Sequence, residues 1–320
     1  MPELPEVETI RRDLEKKILN KKIVQVKVRN SKSVGGENTK FVHALTGNVI
    51  TRIERRGKLM IWWLKHQSVI LSKAKNLVRS KLDPSVARPP QDDKAAVALL
   101  CHLKMTGQLI YEKEIKNKVD IVAGGHKLSE QDIECLPNQW TRVMLVFADG
   151  GELFFNDLRL FGYMKLANKD MVERALKKYG PEPLSKDFTF TYFSALFPKR
   201  KNTTLKALLL NQELVAGLGN IYVDEVCFAA GVKPTRRVGL VTKDEQQKLF
   251  HAIPKILTEA LKHRGTTFRN FLDSSGKKGN YTDFLKVYDR DGEKCKRCGT
   301  VIKKTTAAQR GTHHCPSCQQ

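Results

Sequence analysis

The first residues of the chain place an amine beside a carboxylate. A start methionine is normally removed when proline follows it, so we expect the mature chain to begin with the secondary amine of Pro2, followed directly by Glu3. A neutral amine of this kind can attack an electrophilic carbon and form a covalent iminium. Its ordinary pKa is about 7.7 to 8.0, so a fair fraction is neutral near pH 7. The pair could therefore carry out covalent catalysis by an amine.

The same stretch also has the composition of a helix start. Pro5 suits the first helical turn, and Glu6 favours the positive end of a helix. Val7, Ile10 and Leu14 follow helical spacing and would form one apolar stripe. On this stretch alone a purely structural role remains open, and catalysis requires partners elsewhere in the chain.

A second group with chemical potential lies at the carboxyl end. Cys295 and Cys298 form one pair, and Cys315 and Cys318 form another after sixteen intervening residues. This spacing is typical of a structural zinc site, in which four thiolates leave no position for water. The intervening segment predicts a hairpin with Arg310 at its tip, and zinc would supply the folding energy of so small a unit. Four free cysteines in a β tail are the alternative.

The remaining cysteines, Cys101, Cys135 and Cys227, lie among apolar residues and are expected to be buried, reduced thiols. The 57 lysines and arginines exceed the 34 acidic residues, which gives a net charge of +23. Such a surplus favours a polyanionic partner, with nucleic acid ahead of a membrane surface. The longest apolar runs are too short to span a bilayer, and no signal peptide is apparent, so we expect an intracellular protein.

The elements that would position these residues are of mixed type. The amino-terminal half predicts a starting helix and then mostly antiparallel strands, whereas the segments after residues 180–183 carry helical spacing. Two polar stretches, 72–94 and 113–139, are interpreted as long loops or hairpin insertions. The strand-like segments are 23–64, 97–103, 108–111, 141–147 and 152–155, and the helical ones are 192–196, 203–211, 221–230 and 243–264.

Two further features suit a nucleic-acid site. In the connection Gly217-Leu218-Gly219-Asn220, glycines would let the backbone approach a ligand, amides of the next helix could hold a phosphate, and Asn220 would help cap that helix. A plain glycine turn between helices is the alternative. Lys58, after a basic stretch, is either a phosphate contact or a solvated strand end.

Met105, Arg159 and Phe161 lie beside predicted strand ends. An arginine next to an exposed phenylalanine suits a wedge that fills the gap left when a nucleotide leaves the base stack. Ordinary buried side chains are the alternative.

Six motifs occur together and in order along the chain. They are Pro2-Glu3-Leu4-Pro5-Glu6-Val7-Glu8, Arg56-Gly57-Lys58, Asp157-x-Arg159-x-Phe161-Gly162, Gly180-Pro181-Glu182-Pro183-Leu184, Gly217-Leu218-Gly219-Asn220-Ile221-Tyr222 and Gln309-Arg310-Gly311-Thr312-x-x-Cys315-Pro316-x-Cys318. Together they resemble the formamidopyrimidine-DNA glycosylase family over nearly the full chain. Leu4 in the first motif resembles the formamidopyrimidine branch more than the related endonuclease VIII branch.

The resemblance implies an α+β protein in three parts. These are an N-terminal catalytic β-sandwich domain flanked by helices (1–180), a helix-two-turn-helix DNA-binding domain (181–288) and a C-terminal β-hairpin zinc finger (289–320). It also implies a bifunctional DNA glycosylase and abasic-site lyase that removes oxidised purines such as 8-oxoguanine and formamidopyrimidines. One structural zinc, a damaged duplex DNA partner, no nucleotide cofactor, no membrane, a monomeric state and a cytoplasmic, nucleoid-associated location complete the expectation.

By position, Pro2 would be the nucleophile, Glu3 the acid, and Glu6 and Lys58 supporting catalytic residues. The DNA-binding residues implied by the resemblance are Lys58, Met105, Arg159, Phe161, Asn220, Arg269 and Arg310. The chain departs from the family at Leu160, where a basic residue is common, and in its two polar stretches. A lesion-recognition loop is expected near 273–283.

Two other functions remain open on the sequence. One is a catalytically inactive, zinc-containing DNA-damage-binding protein of the same fold, and the other is a zinc-ribbon protein acting on RNA. A pure binding protein has no use for a free N-terminal proline, so the motif at Pro2 and Glu3 favours the enzyme.

Overall fold

The computed structural model describes residues 1–66, 97–115, 118–125, 135–266 and 281–320. The chain divides into two compact units, and each is considered by itself. The first comprises Met1–Pro2, Glu6–Lys177 and Thr266, and the second comprises Glu3–Pro5, Lys178–Gly265 and residues 281–320.

The first unit is built on two antiparallel sheets. One sheet has the order β2-β3-β4-β9 and the other has the order β1-β7-β8-β5-β6. The strands are β1 (Ile23–Val28), β2 (Asn48–Arg56), β3 (Leu59–His66), β4 (Val97–His102), β5 (Gly107–Ile115), β6 (Lys118–Gly125), β7 (Thr141–Phe147), β8 (Glu152–Asp157) and β9 (Tyr163–Asn168). Helices α1 (Leu4–Ile18), α2 (Asn38–Leu45) and α3 (Lys169–Leu176) accompany them.

Apolar side chains from both sheets and from α1 form one core in this unit. Ile10 and Leu14 of α1 pack in the same buried cluster as Trp62 of β3, Leu99 of β4 and Phe155 of β8. The helical stripe and the alternating strands thus bury their apolar faces against each other, which is how a two-layer domain forms. The predicted β-sandwich flanked by helices is confirmed.

A buried ion network fixes α1 against the first sheet. The Glu8 carboxylate accepts hydrogen bonds from Arg11 at 3.0 Å and from Arg55 of β2 at 2.9 Å. Burial alone would raise the pKa of Glu8, but Arg11 and Arg55 outweigh it and lower the pKa to about 2. Glu8 is therefore ionised at neutral pH.

Several expectations for this half need correction or limits. The strand-like segment 23–64 contains a helix, Asn38–Leu45, whose buried residues are Phe41 and Leu45. The polar stretch 113–139 continues a hairpin, β5 paired with β6, so its hairpin interpretation is confirmed for the described part. The stretch 72–94 lies outside the described residues.

The three scattered cysteines differ in exposure. Cys135 is exposed rather than buried, whereas Cys101 and Cys227 are buried as predicted.

The second unit is helical and ends in a hairpin. Its helices are α4 (Phe190–Ser194), α5 (Leu196–Lys199), α6 (Leu205–Leu210), α7 (Asn220–Ala230) and α8 (Lys243–Lys262), and its strands are β10 (Lys303–Ala307) and β11 (Arg310–His314). The apolar faces of α6, α7 and α8 share one core that also contains Leu4. A capping box at Thr242 and Glu245 begins α8. The predicted helical domain and C-terminal hairpin are confirmed.

Among the described residues, no helix is both long enough and apolar enough to cross a membrane.

Candidate functional site

The buried start of the chain contributes to both units. In the first unit Pro2 is buried. Glu6, with 0% exposure, accepts hydrogen bonds from the backbone N–H of Thr266 at 2.8 Å and from its hydroxyl at 3.1 Å. Thr266 is the last described residue before the segment that precedes residue 281. Glu6 therefore anchors the chain where it enters that segment, which includes most of the expected lesion-recognition loop and Arg269.

Lys58 lies in the tight turn that joins β2 to β3, after Gly57 with a φ of +57°. Its side chain is only 5% exposed. Burial, together with the nearby charges of Lys104 and Lys58, lowers the pKa of His102 to about 3. His102 is neutral and accepts a hydrogen bond from the Lys104 N–H, so the positive charge near His102 comes from Lys58 and Lys104 and not from the imidazole.

A buried carboxylate shapes the loop that carries the predicted wedge. Asp157, with 0% exposure, accepts hydrogen bonds from the Thr106 hydroxyl, from the Arg159 N–H at 3.3 Å and from the Gly162 N–H at 2.6 Å. These bonds join the end of β8 to the loop that precedes β5. Leu160 has a φ of +57°, which reverses the chain direction within the loop.

This loop leaves its aromatic tip exposed. Phe161 is 57% exposed, and the Arg159 guanidinium lies 5.5 Å from the centre of its ring. The arginine thus supports the ring by a cation–π contact. Met105 is partly buried at the neighbouring loop. The structure therefore brings the Met105 loop and the Arg159–Phe161 loop together through Asp157 and Thr106, and it leaves Phe161 available as a wedge.

In the second unit, Glu3 closes the start of helix α7. Its carboxylate accepts a hydrogen bond from the Ile221 N–H at 2.9 Å and a longer one from the Tyr222 N–H at 3.4 Å. A helix start is favourable for an anion because its first N–H groups have no partner within the helix. The sequence interpretation that these amides hold a phosphate is therefore wrong for Ile221 and Tyr222, which bind Glu3.

The glycines of this connection are required by the approach of residues 3 and 4. Gly217 has a φ of +94° and its carbonyl accepts a hydrogen bond from the Leu4 N–H at 3.0 Å. A Cβ on Gly219 would lie 2.3 Å from Cδ of Glu3. The prediction that glycines allow a close approach is thus correct in kind, but the approaching group is the protein's own amino-terminal segment.

Asn220 does not cap α7 as predicted, because Gly219 holds the N-cap position and Asn220 is the first helical residue. The Asn220 side chain reaches across to the hairpin instead, where Nδ2 donates to the Gly311 carbonyl at 3.0 Å. Among the described residues its Oδ1 has no hydrogen-bond partner. Burial raises the pKa of the neighbouring Tyr288 phenol, against a hydrogen bond from Asn220 that lowers it, so Tyr288 is neutral.

A buried ion pair, which was not predicted, ties the hairpin to the helices. Lys206 of α6 and Asp224 of α7 are both 0% exposed, and Nζ lies 2.6 Å from Oδ1. Lys206 also donates to the Gly311 carbonyl at 3.1 Å, and Asp224 accepts from the His313 N–H at 2.9 Å. The two residues are eighteen positions apart, and both are buried. A linear sequence pattern shows neither their burial nor their contact.

Arg310 begins β11 beside the turn of the hairpin and is exposed. The two turn residues, Ala308 and Gln309, both have positive φ, at 51° and 57°. This is the geometry of a tight two-residue hairpin turn, which matches the strand twist. The prediction that Arg310 lies at the tip of the hairpin is confirmed.

The four clustered cysteines have the arrangement of a zinc site. Their sulfur atoms all lie within 4.8 Å of one another and none forms a disulfide. The N–H groups of Arg297 and Cys318 each donate to a cysteine sulfur at 3.4 Å, as in paired knuckles that orient thiolates. Cys295, Cys298, Cys315 and Cys318 would therefore hold one tetrahedral zinc, with no position left for a substrate.

Three family descriptions cover most of the chain. They are the formamidopyrimidine-DNA glycosylase N-terminal domain over residues 1–164, the H2TH domain of the same glycosylase over 179–271, and the zinc finger found in FPG and IleRS over 292–320. The chain belongs to the formamidopyrimidine-DNA glycosylase family. It is therefore a DNA glycosylase with a structural zinc finger, as predicted.

Individual relatives are similar to this chain over its full length, both in sequence and in structure. The formamidopyrimidine-DNA glycosylase of Listeria monocytogenes is 36% identical over 323 residues, covering 100% of both chains. The Lactococcus lactis Fpg in complex with DNA containing an abasic site has a TM-score of 0.78 and 34% identity over 99% of each chain. The wild-type L. lactis Fpg in complex with N7-benzyl-Fapy-dG DNA has a TM-score of 0.77 and 34% identity over 100% of each.

Proposed function

We propose that this glycosylase excises oxidised purines from duplex DNA and then cuts the strand at the resulting abasic site. The observation that carries the proposal is the placement of the amino-terminal pair. Pro2 is buried, and Glu3 is 1% exposed with its carboxylate held by backbone N–H groups. An amino terminus without a catalytic role could be disordered, and it would need neither the burial of Pro2 nor the hydrogen bonds to Glu3.

The chemistry begins at the sugar carbon that bears the damaged base. The neutral Pro2 amine attacks C1′, the bond from C1′ to the base breaks, and the base leaves with a proton. Glu3 accepts the proton that the Pro2 nitrogen loses on attack and then acts as the acid, giving that proton to O4′ as the bond from C1′ to O4′ opens. This leaves a cationic iminium between Pro2 and C1′. Removal of Met1 is required, because only then is the Pro2 nitrogen an amine.

The iminium makes the strand cut accessible without a redox step. Its positive charge acidifies the C2′ proton, so loss of that proton expels the 3′ phosphate by β-elimination. A second, δ-elimination expels the 5′ phosphate, and water then releases the sugar fragment from Pro2. The role of Glu6 is to support this site through its hold on Thr266.

We assign the DNA contacts by position in the family. Lys58, Asn220 and Arg310 hold backbone phosphates, and Arg269, outside the described residues, joins them. Met105, Arg159 and Phe161 fill the gap after the nucleotide leaves the stack, which costs a few kcal/mol and less at a damaged pair. The exposure of Phe161 and Arg310 supports this division.

The substrate class rests on the relatives. The L. lactis structure contains a formamidopyrimidine derivative in its DNA, and the L. monocytogenes relative carries the formamidopyrimidine name. We propose 8-oxoguanine and formamidopyrimidines as substrates, with damaged duplex DNA as the partner. We further propose a monomer that needs no nucleotide cofactor and acts on nucleoid DNA in the cytoplasm.

The three-part division carries these roles. Residues 1–180 supply the chemistry and the wedge, 181–288 bind DNA through the helix-two-turn-helix, and 289–320 form the finger. The zinc, once bound by the four cysteines, supplies a fixed fold for the hairpin that carries Arg310.

The direct test is release of base from a duplex with one 8-oxoguanine, compared with an undamaged duplex of the same sequence. We expect release of 8-oxoguanine and a strand with phosphate at both ends of the gap. Tight binding to the damaged duplex with no base release would contradict the proposal and support the inactive damage-binding protein instead. Preference for structured RNA over abasic duplex DNA in a competition would support the RNA-binding alternative.

A further inference from the structure

A second group of metal-ligand types lies beside the finger, apart from its cysteines. Asp289, Asp291 and His313 each place one ligand atom within 4.8 Å of the others. The two aspartates are exposed and the histidine is buried. Acidic clusters alone are common on protein surfaces, so the histidine decides whether this group is a site.

His313 is 3% exposed and has unmet bonding capacity. Among the described residues, neither of its ring nitrogens has a hydrogen-bond partner, although each faces a carboxylate. Nδ1 lies 3.4 Å from Oδ2 of Asp224, and Nε2 lies 3.3 Å from Oδ1 of Asp291. A buried imidazole without hydrogen bonds is costly, so a missing partner is indicated at Nε2.

The surroundings orient this ring towards the aspartates. Asp224 is already fixed by Lys206 at 2.6 Å and by the His313 backbone N–H at 2.9 Å. The Tyr288 ring packs against His313 with a centroid distance of 5.1 Å and an interplanar angle of 72°. Asp224 faces Nδ1, which is the position that a carboxylate often takes beside a metal-binding histidine, and Nε2 faces Asp291.

We propose that Asp289, Asp291 and His313 bind a divalent transition-metal ion in addition to the zinc of the finger. Nε2 and the Asp291 Oδ1 atom lie 3.3 Å apart, so both can coordinate a single cation. One imidazole nitrogen and two carboxylate oxygens suit Mn²⁺, Zn²⁺ or Ni²⁺, with water completing the coordination. Lys304, 3.7 Å from Asp291 and half-exposed, is the competing cation and can turn away into solvent.

The proposal concerns the hairpin that carries Arg310. His313 lies on β11, and Asp289 and Asp291 lie on the segment that leads into the finger. Asp289 has a φ of +56°, and one carboxylate oxygen of Asp289 lies within 4.8 Å of one of Asp291. A bound ion would cross-link the hairpin to that segment at a point separate from the cysteines.

Mn²⁺ is the appropriate probe, because it prefers oxygen and nitrogen ligands and does not displace zinc from thiolates. Zinc-loaded, full-length protein is titrated with MnCl₂, and free Mn²⁺ is measured by its electron paramagnetic resonance signal. Zinc content is measured in each sample. The substitutions are Asp291→Asn and Asp289→Asn, with Glu293→Gln as a matched control, since Glu293 is a nearby carboxylate 59% exposed in its pair with Arg290.

We expect one Mn²⁺ per chain beyond the zinc. Either aspartate substitution should weaken the affinity for Mn²⁺ at least about tenfold, and Glu293→Gln should leave that affinity unchanged. Because both aspartates are exposed, neither substitution empties the core, and unchanged zinc content will show that the finger is intact. Absence of Mn²⁺ binding, or equal binding by all four proteins, would overturn the proposal and leave His313 as a buried ring that faces two carboxylates without a bound ion.

Discussion

The carboxylate of Glu3 and the backbone of Gly219 lie so close that a methyl group on Gly219 would sit 2.3 Å from Glu3 Cδ. The same carboxylate accepts hydrogen bonds from the first N–H groups of α7. One contact therefore fixes both the residue proposed as the acid and the start of the helix that begins with Asn220.

Gly219→Ala should disable the enzyme without unfolding it. Gly219 has a φ of −142° and a ψ of −161°, which alanine adopts readily, so the substitution acts through the clash with Glu3. Displacement of a reacting group by about 1 Å can cost about 100-fold in rate, and we expect a loss of that order in 8-oxoguanine release. Gly36→Ala is the control, because its added methyl would meet nothing within 4 Å. Equal activity of the two variants would refute the role given to this contact.

Phe161→Ala should reduce excision while leaving stability nearly unchanged. The side chain is 57% exposed, so its loss removes little from the core, within about 0.5 kcal/mol. If it fills the gap in the stack, excision of 8-oxoguanine should fall about tenfold, since unstacking a step costs a few kcal/mol. The measurement is single-turnover base release, with 2-aminopurine fluorescence beside the lesion reporting extrusion. Leu158→Ala, at a neighbouring side chain 48% exposed, should have a smaller effect. If Phe161→Ala extrudes the damaged nucleotide and excises 8-oxoguanine as the wild type does, the role of Phe161 as a wedge is contradicted.

Arg310→Ala should weaken binding to abasic-analogue duplex and reduce its salt dependence. A lost phosphate contact lowers the slope of log K against log salt by about 1. The variant should keep its zinc, because the hairpin turn is set by Ala308 and Gln309. Lys303→Ala removes an exposed charge from the same hairpin and should change the slope less. If the two variants lose the same affinity for DNA, Arg310 contributes only to the net positive charge of the hairpin, and the specific phosphate contact is contradicted.

Glu8→Gln should destabilise the first unit in a pH-dependent way. Glu8 is ionised with a pKa of about 2, below its ordinary value of 4.5, so its contribution is present above pH 4.5 and is lost as the pH falls towards 2. The substitution removes the Glu8 carboxylate from Arg55, which is 1% exposed. It should lower the free energy of unfolding by about 3 kcal/mol at pH 7. Urea unfolding at pH 7 and pH 3 measures this, and the difference from wild type should shrink at pH 3. Glu15→Gln, at a more exposed partner of Arg11, should cost less than about 1 kcal/mol. A pH-independent difference would contradict the ionised pair.

The sequence was informative where spacing alone decides the structure. The cysteine pairs and the strands β1 and β7 follow from local spacing and composition, and they lie where they were predicted. Helix α2 was missed because it is only eight residues long and sits between strands of similar apolar content. Short apolar segments do not distinguish helix from strand by periodicity.

Contacts between distant parts of the chain account for the rest. Glu3 and Ile221 are 218 positions apart, so no local pattern could show that the carboxylate occupies the amides expected to hold a phosphate. Likewise, Asn220 has the residue type of a helix cap but is recruited by the Gly311 carbonyl of the hairpin. The catalytic and DNA-binding assignments for these residues remain predictions.

The central claim is that the Pro2 amine forms a covalent bond with the sugar of the damaged nucleotide. Its most direct test is reduction of the reacting mixture with borohydride, followed by mass spectrometry of the trapped, digested complex. We predict one cross-link, on the amino-terminal peptide that begins with Pro2 after loss of Met1, and its absence in Pro2→Gly. A cross-link on a lysine, or undiminished trapping by Pro2→Gly, would contradict the account.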